Sequence, residues 1–587
     1  MKIKKYILNL AAIFILAVGF GGCDGLFRDE PIDKLSLETV WGSPLLLDEY
    51  TLPWYRNMSN GFSVFMPTSF LFRATARPYY PWLGDQLSVG RADWFRTAYG
   101  DILKGLEKTI TLRAGNYWSN CYMQIQNINR LLENQHKIAN GAQKQRLLGE
   151  AHFFRGYYYY LLLRQFGGVL LIDRTYDPLI DNKKFPRASY EEMVEFIAKE
   201  ADRAAELLAE RHAPSELGRV TKGAALMLKG KTYFWASGVA FQKQKLNFLG
   251  FTTDRSNEMM TQAVNAYDEV MKLGYSLKPV DGTSQEDIVK SYHEIFLTKN
   301  SQESILEVQH SNDGNFDKGF GHKLDREAAS PFFGGTTAAY TPTQNHVDEY
   351  GMRDGAVYDP KQPYLNRDYR FYANVLYDGA TYNGHVMELH YTMENGKKEA
   401  GADLTKYGTD RNAGVTQTGY YMRKFLNPKQ VIDNDPTYGS SQNYIIWRYA
   451  ELLLDYAEID FHQGRTKAAL DKVNEIRTRA HMHKLDAITL ENILNERRVE
   501  MAFEETTYWD FFRLGNAVEK LNGSSNPLKK MEIVKEEGKE TTYTISNMNA
   551  KPESTRSFSS HQYYYPIPVA EVKYHEIPQN PEWGSNQ

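Results

Sequence analysis

The sequence predicts a mainly α protein, a helical-repeat scaffold interrupted by a large irregular, loop-rich insertion containing short β segments. Three observations carry this reading. From Pro44 to about Gly274 apolar residues recur at helical spacing, with gaps. Between 275 and 445 glycines, asparagines, tyrosines and short β-like runs such as "ESILEVQ" dominate, and no long helical period survives. Helical spacing returns at Trp447 and runs to about Gly515, followed by a polar loop and an aromatic, proline-containing tail.

The chain opens with Lys2, Lys4 and Lys5 ahead of an apolar run from Tyr6 to Phe20, broken only by Asn9. A positive start and a short greasy core are the parts of a secretory signal. The run falls short of the about 20 residues a membrane span needs. Gly21 and Gly22 then lead straight into Cys23, an ending that resembles the lipobox of bacterial lipoproteins. That resemblance implies an acylated Cys23, with 1–22 as signal peptide and 23–43 as lipidated N-terminus and tether. The alternative is an ordinary signal peptide that happens to contain a cysteine. Cys121 is the only other thiol, so an acylated Cys23 leaves no internal disulfide and stability must come from a core.

The N-terminal helical-repeat part (44–274) contains "GEAHFFRGYYYYLLLRQFGG", a strong helix stopped by Gly167 and Gly168. "YEEMVEFIAKEADRAAELL" is amphipathic, and "GRVTKGAALMLKGKTYFWASG" with "EMMTQAVNAYDEVMKLGY" forms another helix pair. After the insertion (275–445), the C-terminal helical-repeat part and aromatic tail (446–587) hold the cleanest repeat. Tyr449, Leu452, Leu453 and Tyr456 form one apolar stripe; Ala450, Leu454, Ala457 and Phe461 form a second. A helix apolar on two sides needs two neighbours. Gly464 makes the turn, and Ala469, Val473, Ile476 and Ala480 line the next helix, so the pair looks tetratricopeptide-like.

A net charge of −4 with 24% charged residues suggests neither nucleic acid nor an anionic membrane surface as partner. The chain is 13% aromatic, led by 40 tyrosines, a side chain suited to wet interfaces and to the faces of sugar rings.

"EAHFFRGYYYYLLLRQFGGVLL", "NSQESILEVQ", "PTQNHVDEYGMRDG", "TGYYMRKF", "RYAELLLDYAE", "ERRVEMAFEETTYWDFFRLG" and "YYYPIP" occur in this order across nearly the whole chain. Together with the lipobox they resemble the SusD/RagB family of outer-membrane lipoproteins. The resemblance implies a lipid-anchored protein of the cell outer membrane that faces the exterior. It would capture oligosaccharide for a SusC-like TonB-dependent transporter, with no chemistry and no cofactor. Family members bind glycan through exposed aromatics flanked by a few polar residues.

In "YYPWLGDQLSVGRADWFRTAYG", Tyr80, Trp82 and Trp94 sit among glycine, proline and polar residues, which suggests exposed loop platforms. Asp85 and Arg91 could then bond hydroxyls, or Arg91 a carboxylate. The alternative is that these rings anchor buried loops. Trp118 keeps helical register and reads as core. A second source is "HSNDGNFDKGFGHKLDREAASPFFGG", with Phe316, Phe320 and His322 interrupting flexible residues.

Several motifs fail their tests. "GKT" at Gly230–Thr232 lacks the earlier glycine of a phosphate loop, which is Ala225, and lies in a helix. Asp313, Asn315 and Asp317 have calcium-loop spacing, but Lys318 and Leu324 stand where glycine and glutamate belong. His481 and His483 lack further ligands, so no metal is expected. In "ERRVE" an internal salt-bridge network outweighs catalysis. Two rivals stay open: a peptide-capturing subunit of the same kind of uptake complex, and a surface glycoside hydrolase, whose paired carboxylates no linear motif reveals.

Overall fold

The computed structural model describes residues 37–58, 61–62, 80–89, 102–177, 184–311, 321–405, 414–430, 432, 439–549 and 553–584. The fold is mainly α. Helix α1 (Pro44–Arg56) leans on a consecutive array: α2 (Glu107–Glu133), α3 (Ala142–Phe166), α4 (Tyr190–Leu207), α5 (Lys222–Ala236) and α6 (Ser256–Met271). Each member packs on the next. In α2 the buried set Ile110, Ala114, Tyr117, Cys121, Ile125 and Ile128 follows the helical period, so one face is covered. From Leu147 onward α3 is buried on nearly every side, because α2 and α4 flank it.

Two glycines permit this closeness. A Cβ on Gly156 would lie 3.1 Å from the Glu200 Cβ of α4. Gly167 ends α3 at φ +74°, where a Cβ would meet the Phe248 carbonyl oxygen at 2.4 Å. Polar bonds stitch the same layers. Arg155 grips Glu200 with two bonds of 2.7 Å and donates to Asn129 Oδ1 at 3.0 Å. The Asn129 amide in turn donates to the carbonyls of Ile172 and Arg174, each at 2.9 Å.

The array does not stop where its sequence stops. After α6 the chain leaves and returns at β4 (Tyr444–Arg448), which pairs antiparallel with β1 (Ser304–Val308) through a bulged ladder. Helix α7 (Tyr449–His462) follows β4 directly and packs on α6. Tyr267 donates to Asp455 at 2.8 Å, and Tyr456 donates to Asp268 at 2.7 Å. Helices α8 (Thr466–Arg479) and α9 (Leu490–Glu500) then close a small core of Ala457, Ala469, Val473 and Ile493. The two stripes read on α7 are both covered because α6 lies on one side and α8 and α9 on the other.

One sheet departs from the sequence reading. Strands β2 (Tyr391–Glu394) and β3 (Lys397–Ala400) of the insertion join β5 (Lys529–Lys535) and β6 (Thr542–Asn547) of the tail, in the order β6-β5-β2-β3. The segment expected as a polar loop after Gly515 thus contains a hairpin. Met531 and Ile533 alternate inward on β5, and β5 is held by parallel pairing with β2. A last helix, α10 (Val569–His575), packs back near α2.

A buried ionic network joins the insertion to the repeat. Arg448 is fully enclosed and donates to Glu303 and Glu500 at 2.7 Å and to both Glu504 oxygens at 2.7 and 2.8 Å. Arg370 and Arg479 also bond Glu500, and Lys424 bonds Glu504 at 2.6 Å. "ERRVE" is part of this interior: Arg497 pairs with Asp455 and Asp510, and Arg498 with Asp85 and Glu349. Lys231 of "GKT" lies within α5 and bonds Glu451 at 2.6 Å and Asp455 at 2.9 Å. Among the described residues no helix is long and apolar enough to cross a membrane.

Candidate functional site

The sequence-derived candidates divide sharply. Cys23, Arg91, Trp94, Phe316 and Phe320 lie outside the described residues, as do Asp313, Asn315 and Asp317. Tyr80 opens a single helical turn, Tyr80–Leu83.

Trp82 in that turn is 6% exposed and packs on Tyr340, with ring centroids 5.3 Å apart. It is core, not the exposed platform expected. Asp85 is buried too. Its carboxylate meets Arg498 at 2.8 Å and Asn526 at 3.1 Å. Burial alone would raise that carboxyl, but Arg498 and Arg556 outweigh it and hold it below the usual carboxylate range. The segment is interior because Leu87 and Ser88 pair with Pro342 and Thr341 from the insertion. Glycine and proline marked a bend there, and the bend is covered.

His322 is fully buried between Phe62, at 4.6 Å, and His310, at 4.8 Å. Its Nδ1 accepts from the Leu324 amide, so Nε2 carries the proton and donates to the Gln442 carbonyl at 2.9 Å. Burial, and after it the neighbouring His310, hold the imidazole well below its usual pKa. This histidine is a structural donor.

The same stretch of sequence does present one aromatic surface. In "SPFFGG" a tight helical turn, Pro331–Phe333, is followed by Gly334 at φ +84°. The two rings meet edge to face, with centroids 5.2 Å apart, and both contact His385. Phe333 turns inward, 5.3 Å from Tyr382, while Phe332 stays 45% exposed. Across from it Asn383 and Gly384, both at positive φ, turn the hairpin that joins Thr381–Tyr382 to His385–Val386. That turn lays the His385 ring flat under Phe332, with centroids 3.6 Å apart and planes 11° from parallel.

Asp403 fixes the arrangement from behind. Fully buried, it accepts from His385 Nε2 at 2.8 Å, from Ser330 Oγ at 2.5 Å and from the Glu388 amide at 2.8 Å. Arg423 lies over Tyr382, 6.0 Å from the ring centre, with no carboxylate in ion-pair range among the described residues, and burial pushes its guanidinium below the usual value. The result is a partly exposed ring stacked on a histidine that a hydrogen-bonded frame holds. It can stack on an apolar ring face while nearby polar groups meet hydroxyls. Sequence reasoning missed Phe332, Tyr382, His385 and Asp403. The signals available were the Asn-Gly hairpin dipeptide and a doubled phenylalanine between proline and glycine. Among the described residues no group of three or more metal-ligating side chains converges.

Two family models match the chain. The SusD family model covers residues 302–583. A SusD-like model, described as starch-binding associating with outer membrane, covers residues 92–234. A SusD-like protein of Bacteroides ovatus is 24% identical over 408 residues, 67% of this chain and 64% of its own length. The chain thus spans just under two thirds of that relative. A solved SusD-like protein from Bacteroides fragilis superposes with a TM-score of 0.71 at 23% identity, over 94% of this chain and 99% of that one. A SusD-like carbohydrate-binding protein from the same species gives 0.67 at 21% identity, over 91% and 99%. These superpositions show a shared fold.

Proposed function

This chain belongs to the SusD/RagB family, and on that premise we propose that it is a surface-exposed, glycan-binding lipoprotein. It captures oligo- or polysaccharide at the outer membrane and delivers it to a SusC-like TonB-dependent transporter. It is anchored there through lipid on Cys23. The observation that carries the binding role is Phe332, exposed and stacked on a His385 that Asp403 locks in place. A pyranose offers a C–H face to such a ring and hydroxyls to the polar groups around it. The family description and the carbohydrate-binding B. fragilis relative support the same reading.

The use of the carboxylates behind the ring supports binding over bond cleavage. Both Asp403 oxygens are taken by His385, Ser330 and the Glu388 amide, and Glu388 itself accepts from the Ala402 amide. Asp403, buried and bonded through both oxygens, is not presented as a free acid or nucleophile facing the ring.

The test is retention of the protein in native gels containing candidate polysaccharides, with Phe332→Ala beside the parent. Loss of one stacking ring, worth about 0.5–1.5 kcal/mol, weakens retention severalfold. An exposed ring contributes little to the core, so the variant melts near the parent. New reducing ends would identify a hydrolase instead. Retention of peptides but of no glycan would identify the peptide-capturing alternative.

A further inference from the structure

A second concavity, about 350 Å3, lies between α2, the strand-like segment after α3, and α10. Its walls are the rings of Trp118, Tyr122, Tyr176 and Tyr574, with Glu571 and His575. Helical spacing assembles it. Trp118 and Tyr122 are four apart on α2, with ring centroids at 4.7 Å, and Glu571, Tyr574 and His575 share one face of α10. The Tyr122 ring is held by its hydroxyl, which donates to the Leu170 carbonyl at 2.7 Å.

Among the described residues the acid in this aromatic wall has no lysine or arginine partner. His575 Nδ1 accepts from the Phe185 amide at 3.1 Å, which leaves the proton on Nε2, 3.5 Å from Glu571. Burial, and then the charge of Lys184, keep that imidazole below its usual pKa, so it is neutral near pH 7. Lys184 itself is paired with Glu576. Among the described residues no lysine or arginine lies within ion-pair distance of Glu571. Burial pushes the Glu571 carboxyl up.

We propose that this groove, which shares no residue with the Phe332 surface, is a binding site for a small organic ammonium ion. The ligand is a primary or quaternary amine on a ring or short chain, with Glu571 as its counter-ion and the four aromatic rings as its walls. Aromatic faces attract cations through the ring quadrupole, and a carboxylate among them selects positive charge over a neutral molecule of the same shape. The volume sits at the small end of ordinary ligand sites. A purely apolar ligand would bury the carboxylate uncompensated, and a neutral sugar would leave its charge unmatched.

Titration calorimetry of the full chain with tetramethylammonium, glucosamine and glucose at pH 7 tests the assignment. Both cations bind and glucose does not. Glu571→Gln weakens both severalfold, the effect of deleting the counter-ion from a half-exposed aromatic site. Tyr574→Leu, at a ring already 38% exposed, also weakens both while melting near the parent. Phe332→Ala binds the cations as the parent does, so failure here is separable from failure of the glycan reading. Glucose matching glucosamine, unchanged binding by Glu571→Gln, or no binding of either cation at millimolar concentration overturns the proposal.

Discussion

Replacing Arg448 with methionine keeps much of the side-chain volume and deletes the charge at the centre of the buried network. Arg448 is fully enclosed and serves Glu303, Glu500, Glu504 and the Glu500 carbonyl, the last at 2.8 Å. Its removal leaves three interior carboxylates short of one positive charge, and breaking one side of a buried pair costs about 3–5 kcal/mol. Over a chain of 587 residues, at about 2.1 cal/mol/K per residue, that loss lowers the melting temperature by about 2–4 °C. The pH dependence separates this from simple mispacking. Burial alone would raise the Glu500 carboxyl, but Arg479, Arg448 and Arg370 overcome it and hold it well below the usual range. Glu504 is likewise held down by Arg448 and Lys424 against its burial. A depressed folded pKa stabilises above the unfolded value, near 4.3 for glutamate, and that stability is lost as pH falls through the folded value. The variant has already lost part of it. The gap between parent and Arg448→Met is therefore widest near pH 7 and narrows below about pH 4. Calorimetric melts at pH 7 and about pH 3 measure both values, with Lys467→Ala, from the exposed Lys467–Asp471 pair, as a control that leaves melting unchanged. A variant melting within a degree of the parent at pH 7, or a gap that does not narrow with acid, refutes the reasoning.

Trp82→Ala, at a ring 6% exposed against Tyr340, destabilises the fold by about 3–5 kcal/mol and leaves glycan retention by the folded protein unchanged. A parent-like melt with lost retention would return Trp82 to the binding surface. Cys23→Ala releases the protein into the soluble fraction with its melting temperature unaltered. Continued fractionation with membranes in cells lacking the transporter partner would defeat the lipobox reading.

The helical array was legible because its signal is local. The apolar positions of α2 and the double stripe of α7 repeat at the period of the element that buries them, and Gly167 ends α3 as its sequence announced. The ordered motifs that mark the family are equally a property of the chain read by itself. The β5–β6 hairpin was not legible, since β5 gains its second neighbour from β2, in a different part of the chain. Nor was the candidate surface. Trp82 and Phe332 both sit beside proline and glycine, and composition treats them alike. Only packing tells them apart: Tyr340 covers the first ring, while the second rests on His385 and stays 45% exposed. Asp85 shows the same limit, since the guanidinium that claims it arrives from Arg498, 413 residues away. Periodicity reports which face of an element is apolar. Burial and charge pairing are sums over neighbours that meet only once the chain has folded, so the exposure of a loop aromatic and the free valence of an acid were decided by tertiary structure alone.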